Sequence, residues 1–409
     1  MKQFQVPAHF RSQLLSAVKQ YRKQGDKMKK DFSPTLIDLG TVRFYVARHF
    51  GFCYGVENAI EIAIKTIDEN PDKRIFLLSE MIHNPQVNAG LLERGVRFLQ
   101  DTYGNQLISF DELKRDDVVI IPAFGTTLEM EKLLRSKGIA IEKYNTTCPF
   151  VEKVWNRSEQ IAEKGYTIVI HGKPAHEETR ATFSHAGAHA PSVVINDLKE
   201  ARLLADFIKG SKTKEEFFSV FKGRYSLDFN PETDLQRMGV VNQTTQLASD
   251  TQEITEYLKQ IVKEHFNLNE ETLPLHFADT RDTLCYATND NQTAVKGLLE
   301  QKADFALVIG GYNSSNTTHL VELCEKVLPA YFINDAEKLL SSEEMMHFNY
   351  HDKKEYLTKN YLPQNRPVTI LITSGASCPD AMVEAVMEKI AGFCEAEITL
   401  NEKAADFQI

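Results

Sequence analysis

Residues 42–67 read VRFYVARHFGFCYGVENAIEIAIKTI. The stretch opens on a β-branched and aromatic run, VRFYVA (42–47), passes through a glycine-flanked turn and continues at once into a helical pattern from residue 56. A continuous apolar run of this length reads as a strand buried on both faces, as in a parallel sheet. The turn carries Cys53 between Gly51 and Gly55. Glycine lets the backbone come close to a neighbour, and a helix N-terminus stabilises negative charge, so a thiolate is favoured there. Strand, small-residue turn and helix in that order define the α/β class.

The same order recurs along the chain. Further strands are expected in RIFLLS (74–79), VVII (118–121), YTIVIHG (166–172), SVVI (192–195), MGVVN (238–242), FALVIGG (305–311) and VTILIT (368–373). Helical patterns lie between them at 151–164, 251–266, 292–301 and 380–391. Strand–helix alternation places helices on the faces of mostly parallel sheets. Small polar turns follow five of the strands: IIPAFGTT, VIHGKPAHEET, VVNQTTQL, VIGGYNSSNTT and LITSGASCPD. Ligands bind beyond the carboxyl ends of the strands in open α/β sheets, so these turns are expected to serve a shared site. Residues 203–231, with KGSKTKEEFF, read as an inserted helical or loop excursion.

Composition excludes several classes. The chain has 409 residues and a formal net charge of −10, from 57 acidic and 47 basic side chains. Such a balance speaks against a nucleic-acid binder, which would present a basic face. No apolar run of about 18 residues or more predicts a transmembrane helix. The N-terminus lacks the charged-then-apolar order of a secretory signal. Phe10, Leu14, Leu15, Val18 and Tyr21 can share one face of an amphipathic helix, so a folded extension of a cytoplasmic protein is expected.

The six cysteines form no Cys-x-x-Cys pair, and a disulfide framework is not expected in a large chain of this kind. Cys53, Cys148 in TTCPFV and Cys285 in TLCYATND each lead into a helical pattern, with Pro149 suited to a first helical position. They are spaced by about 95 and about 137 residues, close to one domain each. Three such thiolates suit an iron–sulfur cluster or zinc with one position open for chemistry. Cys324 and Cys394 lack that setting and read as structural. Cys378, in the turn GASCPD, reads as a packing residue. Taken singly, a cysteine is more often an apolar filler than a ligand, and the Ser/Asn turn more often a helix cap than a binding loop.

The ordered set GFCYGVENAIEIA, IHNPQVN, TTCPFVEKVW, HGKPAHEETRAT, NQTT, DTLCYATNDNQTAV, GGYNSSNTTHL and TSGASCPD resembles the 4-hydroxy-3-methylbut-2-enyl diphosphate reductase family of the non-mevalonate isoprenoid pathway. The resemblance covers about residues 42–391, and the long N-terminus with PAFGTT is similar to the plant and cyanobacterial branch. It implies three pseudo-symmetric α/β units in a cloverleaf around a [4Fe-4S] cluster held by Cys53, Cys148 and Cys285. Residues 1–41 are then an extension, and units at 42–147, 148–284 and 285–409 carry one cysteine each. The resemblance further implies an iron without a protein ligand that meets the substrate hydroxyl. Loss of that hydroxyl as water, with two electrons, gives isopentenyl and dimethylallyl diphosphate.

By resemblance, His83, His176, Ser314, Ser315, Asn316 and Ser377 contact the diphosphate, and Glu178 with Thr244 delivers protons. Glu177 is the rival acid. Many bacterial members place a histidine in the turn where this chain has Phe124, which cannot donate to phosphate. The chain shows no Gly-x-Gly-x-x-Gly turn for a flavin or nicotinamide, so an external donor such as ferredoxin or flavodoxin is expected. A cluster-dependent hydro-lyase and a non-catalytic iron–sulfur sensor are the competing readings. A requirement for an electron donor separates the first from the reductase, and the polar turns HEET, NQTT and NSSN argue against the second.

Overall fold

A computed structural model describes residues 4–28, 30–280 and 283–407. The chain forms two compact units. One comprises Met1–Glu57, His83–Val87 and Tyr286–Ile409, the other Asn58–Ile82 and Asn88–Cys285.

The first unit is built on a five-stranded sheet. Its order is Thr35–Asp38, Val42–Val46, Val368–Ser374, Phe305–Ile309, Ala330–Ile333. The outer hairpin is antiparallel and the remaining pairs are parallel, with Ile370 opposite Phe44 in one ladder and Phe305 in the other. Side chains alternate between two cores. Leu307 and Ile309 face one that includes Leu14, Leu15, Val18, Val383 and Val386. Ala306 and Val308 face another that includes Val295, Leu298, Leu320 and Val321. Apolar on both faces, Phe305–Ile309 is wholly buried, which is why it reads as a continuous run.

The second unit holds two parallel three-stranded sheets. Ile75–Leu77 lies between Arg97–Phe98 and Val118–Ile120, and Thr167–His171 between Ser192–Ile195 and Met238–Asn242. All eight strands expected from the sequence are present. Those not anticipated are Thr35–Asp38, Arg97–Phe98, Ala330–Ile333 and the hairpin of Glu344–Asn349 with Lys354–Lys359, whose second strand is largely exposed.

Of the two alternatives for residues 203–231, the structure has the helical one. Helices Leu198–Ile208 and Lys214–Val220 carry Phe207 and Phe217 into the core, where Phe221 and Phe229 from the following turns join them, and the Phe217 and Phe229 rings stack at 5.0 Å. Thr213 and Glu216 close a reciprocal cap at the second helix, which fixes where it begins. At the N-terminus the helix is Gln13–Gly25. It buries Leu14, Leu15 and Val18, whereas Phe10 lies before it in a single 3-10 turn and Tyr21 is half exposed.

Candidate active site

The strands end where the small-residue turns begin, and each turn opens a helix. In the second unit the turn HGKPAHEET leads into Glu177–Gly187, with His176 as its N-cap. The Glu178 amide donates to His176 Nδ1 at 3.2 Å. That nitrogen is therefore the unprotonated one of a neutral ring, and Nε2 carries the hydrogen. Glu178 is 2% exposed. Its Oε1 accepts the Thr244 amide at 2.6 Å and its Oε2 accepts the Thr244 hydroxyl at 3.0 Å. Glu177 turns elsewhere, accepting the Ser79 hydroxyl.

Thr244 also fixes a cysteine, because its carbonyl accepts the Cys285 amide at 3.2 Å. The turn before Cys285 is tied down by Asn242. The Thr283 hydroxyl and amide donate to Asn242 Oδ1 at 2.6 and 3.0 Å, while the Asn242 amide donates to the Thr283 hydroxyl at 2.8 Å. Gln243 is equally engaged, its Oε1 accepting the Lys173 amide, the Thr179 hydroxyl and the Gln246 side-chain amide. Neither Asn242 nor Gln243 was singled out from the sequence, although both lie in the quoted NQTT. Asn, Gln and Thr together after a buried strand are the available signal, since such side chains replace the ladder where it stops.

Cys148 is the N-cap of Pro149–Ala162, and its amide donates to the Ala123 carbonyl at 2.9 Å. The PAFG turn is thereby joined to this cysteine. Gly125 has φ +75° and could not be replaced without strain, since an added Cβ would lie 2.5 Å from the Trp155 ring. Trp155 stacks on His185 at 3.7 Å and 9°, and His185 Nε2 faces the Thr126 carbonyl at 3.2 Å. Burial keeps the His185 pKa below its ordinary value, so this ring is a neutral prop for the turn. At the tip, Phe124 meets His176 edge to face, centroids 5.7 Å apart. Within this unit the structure brings together Cys148, Cys285, His176, Glu178, Thr244 and Phe124.

The remaining expected residues gather in the first unit. Cys53 precedes the helix Tyr54–Glu69, and its amide donates to the Ala376 carbonyl at 3.1 Å. The Ala376 amide in turn donates to Asn316 Oδ1 at 3.0 Å. The buried Asn316 Nδ2 has no hydrogen-bond partner among the described residues. An orphaned buried donor is costly, so a bound acceptor would stabilise it. Ser314 caps Ser315–Glu325 by accepting the Thr317 amide at 3.2 Å, which leaves its own hydroxyl hydrogen to donate. Ser315 and Asn316 begin that helix. His83 is 7% exposed, and its carbonyl accepts the Ser377 hydroxyl at 3.2 Å. A side chain on Gly311 would collide with that same carbonyl, so the turns of His83, Gly311 and Ser377 require each other's shape.

The cysteines divide cleanly. None is in a disulfide. Cys324, Cys378 and Cys394 are core members, whereas Cys53, Cys148 and Cys285 alone are partly open. Burial pushes the Cys148 thiol up to about 12, and the nearby Cys285 and Glu178 push in the same direction. Clustered acids and thiols of this kind fit a cationic group, which would relieve the repulsion and deprotonate the thiols. Among the described residues no group of three or more His, Cys, Asp or Glu side chains is gathered as a metal site. The fit to an iron–sulfur group thus rests on the donor set: three partly open thiols at helix starts.

Parallel sheets whose carboxyl-end turns present cysteines and small polar residues at helix N-termini define an enzyme of the α/β class. The chain belongs to the LytB protein family, whose model matches residues 44–391. Curated relatives named 4-hydroxy-3-methylbut-2-enyl diphosphate reductase include those of Crocosphaera subtropica and Cyanothece sp. The first is 41% identical over 86% of this chain and 85% of its own length, the second 39% identical over 92% and 88%. A solved structure of the same reductase, described as the terminal enzyme of the non-mevalonate pathway, matches 85% of this chain and 99% of its own, with TM-score 0.51 and 26% identity. The Plasmodium falciparum reductase structure shares the fold, with TM-score 0.60 over 86% of this chain and 88% of its own at 21% identity. The chain is thus an enzyme of that family.

Proposed function

We propose that this chain catalyses the reductive dehydroxylation of 4-hydroxy-3-methylbut-2-enyl diphosphate. Two electrons and two protons enter, water leaves, and isopentenyl or dimethylallyl diphosphate forms. The observation that carries the reading is the division of the cysteines, since only the three at helix starts are partly open and two of them share a network with Glu178.

Cys53, Cys148 and Cys285 would hold a [4Fe-4S] cluster. When bound, it supplies electron transfer and Lewis acidity, fed by an external donor such as ferredoxin or flavodoxin. Glu178 is the proton source. With the proton on Oε2, the hydrogen bond to Thr244 reverses, and Thr244 Oγ1 becomes the donor toward the departing oxygen. The amide of Thr244 stays on Oε1 throughout and holds the carboxyl in place.

His83, His176, Ser314, Ser315, Asn316 and Ser377 bind the diphosphate. His176 contributes its Nε2 hydrogen and Asn316 its orphaned amide hydrogens. The N-terminus of Ser315–Glu325 adds its partial positive charge. Phe124 donates nothing and keeps the His176 ring in orientation. No helix among the described residues is long and apolar enough to cross a membrane.

An anaerobic assay with the allylic diphosphate and a chemical reductant, products identified by mass, tests the proposal. Formation of the two five-carbon diphosphates with release of water is expected. Iron-replete protein that leaves the substrate untouched, or converts it without consuming reductant, would overturn it.

A further inference from the structure

The family model begins at residue 44, yet residues well before it are built against the turn that carries Cys53. That turn reads HFGFCY (49–54), with aromatic rings at 50, 52 and 54. Each ring has a partner in the N-terminal segment. Phe4 meets Tyr54 edge-on with centroids 4.8 Å apart, and Phe10 meets Phe52 at 5.7 Å. The Lys19 ammonium lies 4.3 Å from the centre of the Phe50 ring.

Lys19 has a second task. It donates to both oxygens of Asp380, at 2.7 and 2.8 Å, at the start of the helix Asp380–Phe393. This ion pair fills the notch left by Gly51. The glycine has φ +79°, and a side chain there would collide with Asp380 and lie 2.8 Å from Lys19 Nζ.

The segment is anchored rather than draped. The Ser12 hydroxyl accepts the Leu15 amide at 2.8 Å, the Leu14 amide donates to Glu384 Oε1 at 3.2 Å, and Leu14, Leu15 and Val18 are core residues. Main-chain groups grip the turn elsewhere, through the Gly51 amide to the Ser374 hydroxyl and the Cys53 amide to the Ala376 carbonyl, both at 3.1 Å. These fix the backbone of the turn, and the N-terminal segment fixes its side chains.

We infer that the N-terminal segment is a clamp on the cysteine turn, with Phe4, Phe10 and Lys19 as positioning residues that keep the turn closed around Cys53. The consequence for a metal rests on the proposed ligand role of Cys53. A turn held shut presents one thiol geometry and resists the local opening through which a ligand is lost.

The test is made on reduced, metal-free protein. Iodoacetamide labelling of Cys53, Cys148 and Cys285 is followed at one pH by peptide mass, for wild type, Phe10→Ala, Lys19→Met and Lys19→Arg. Tyr21→Ala is the control, because Tyr21 lies on the same helix against Phe407 and away from the turn. Cys53 labelling should rise about five- to tenfold in Phe10→Ala and Lys19→Met, the change in open population expected from losing one aromatic or cation–π pair. Cys148 and Cys285 should label as in wild type, as should every cysteine in Tyr21→Ala, and Lys19→Arg should restore most of the wild-type rate. Unchanged Cys53 labelling in both variants, or an equal rise at all three cysteines, overturns the clamp. Iron and sulfide content of reconstituted wild type is measured separately. Protein that takes up neither overturns the ligand role of Cys53 and leaves the clamp, read without metal, standing.

Discussion

Thr244 holds both carboxyl oxygens of Glu178, one through its amide at 2.6 Å and one through its hydroxyl at 3.0 Å. A carboxyl fixed at two points keeps its orientation whether or not it carries a proton. Glu178→Gln preserves shape and most of this bonding while removing the acid. Turnover should fall at least about 100-fold, the low end for lost acid–base catalysis, with iron content and substrate affinity retained. Near-normal anaerobic turnover would exclude Glu178 and make Glu177 or a phosphate oxygen the next candidate. Thr244→Val removes the relay hydroxyl but not the amide contact, so it should slow turnover without displacing Glu178.

The cysteine assignment is checked by iron content. Serine at position 53, 148 or 285 should each abolish or severely reduce iron and activity. Cys324 and Cys394 sit in apolar cores, so serine there should leave the iron in place at some cost in melting temperature. Full iron in Cys285→Ser, or an empty protein in Cys324→Ser, would refute the set.

For the diphosphate, His83→Ala should weaken substrate affinity by about one order of magnitude or more, corresponding to roughly 1.5–3 kcal/mol for a hydrogen bond to a charged group. Titration calorimetry on the intact holoprotein gives the number. An unchanged dissociation constant would remove His83 from the binding set.

Gly125→Ala probes the PAFG turn. The residue must keep a left-handed backbone, and its new methyl must displace Trp155. A loss of about 1–3 kcal/mol in stability is expected from the backbone strain, with additional cost if the Trp155–His185 stack parts. Denaturant unfolding measures it, and a change under half a kilocalorie would show that the turn yields more easily than its packing implies.

In metal-free protein, Cys148 should be an unreactive thiol. Its pKa, pushed up to about 12, means that the neutral thiol persists far above the ordinary range. The reactive thiolate therefore grows only as pH rises toward that value. Labelling at pH 8 should be at least about a hundredfold slower than for a free thiol, and should climb about tenfold per pH unit. Fast labelling at neutral pH would mean that the apo pocket is wetter than its burial indicates.

Much of this architecture was legible in the sequence because doubly buried strands leave continuous apolar runs. Phe305–Ile309 and Ser192–Ile195 could be placed almost to the residue. The hairpin of Glu344–Asn349 and Lys354–Lys359 could not, since the second strand is charged and largely exposed and the first buries only Met345, so neither leaves a continuous apolar run. The segment 203–231 stays open between helix and loop in the sequence for the opposite reason. Its polar residues dominate the string, while four phenylalanines spread over it form a core only once folded. At the candidate site, the expectations for the cysteines and Glu178 come from the ordered motifs. The props could not be foreseen, because Trp155 and Gly125 are 30 residues apart and their contact depends on tertiary packing alone.

The centre of the five-stranded sheet, Val368–Ser374, is the last of its strands to be synthesised, and it separates Val42–Val46 from Phe305–Ile309. Until it emerges from the ribosome, both neighbours have an unpaired edge, and that sheet cannot form in its native order. The unit running through the middle of the chain contains its own strand partners and needs no such wait. Synthesis should therefore give a folded middle before a folded periphery, and chains stalled short of residue 368 should be handed to chaperones with apolar edges bare.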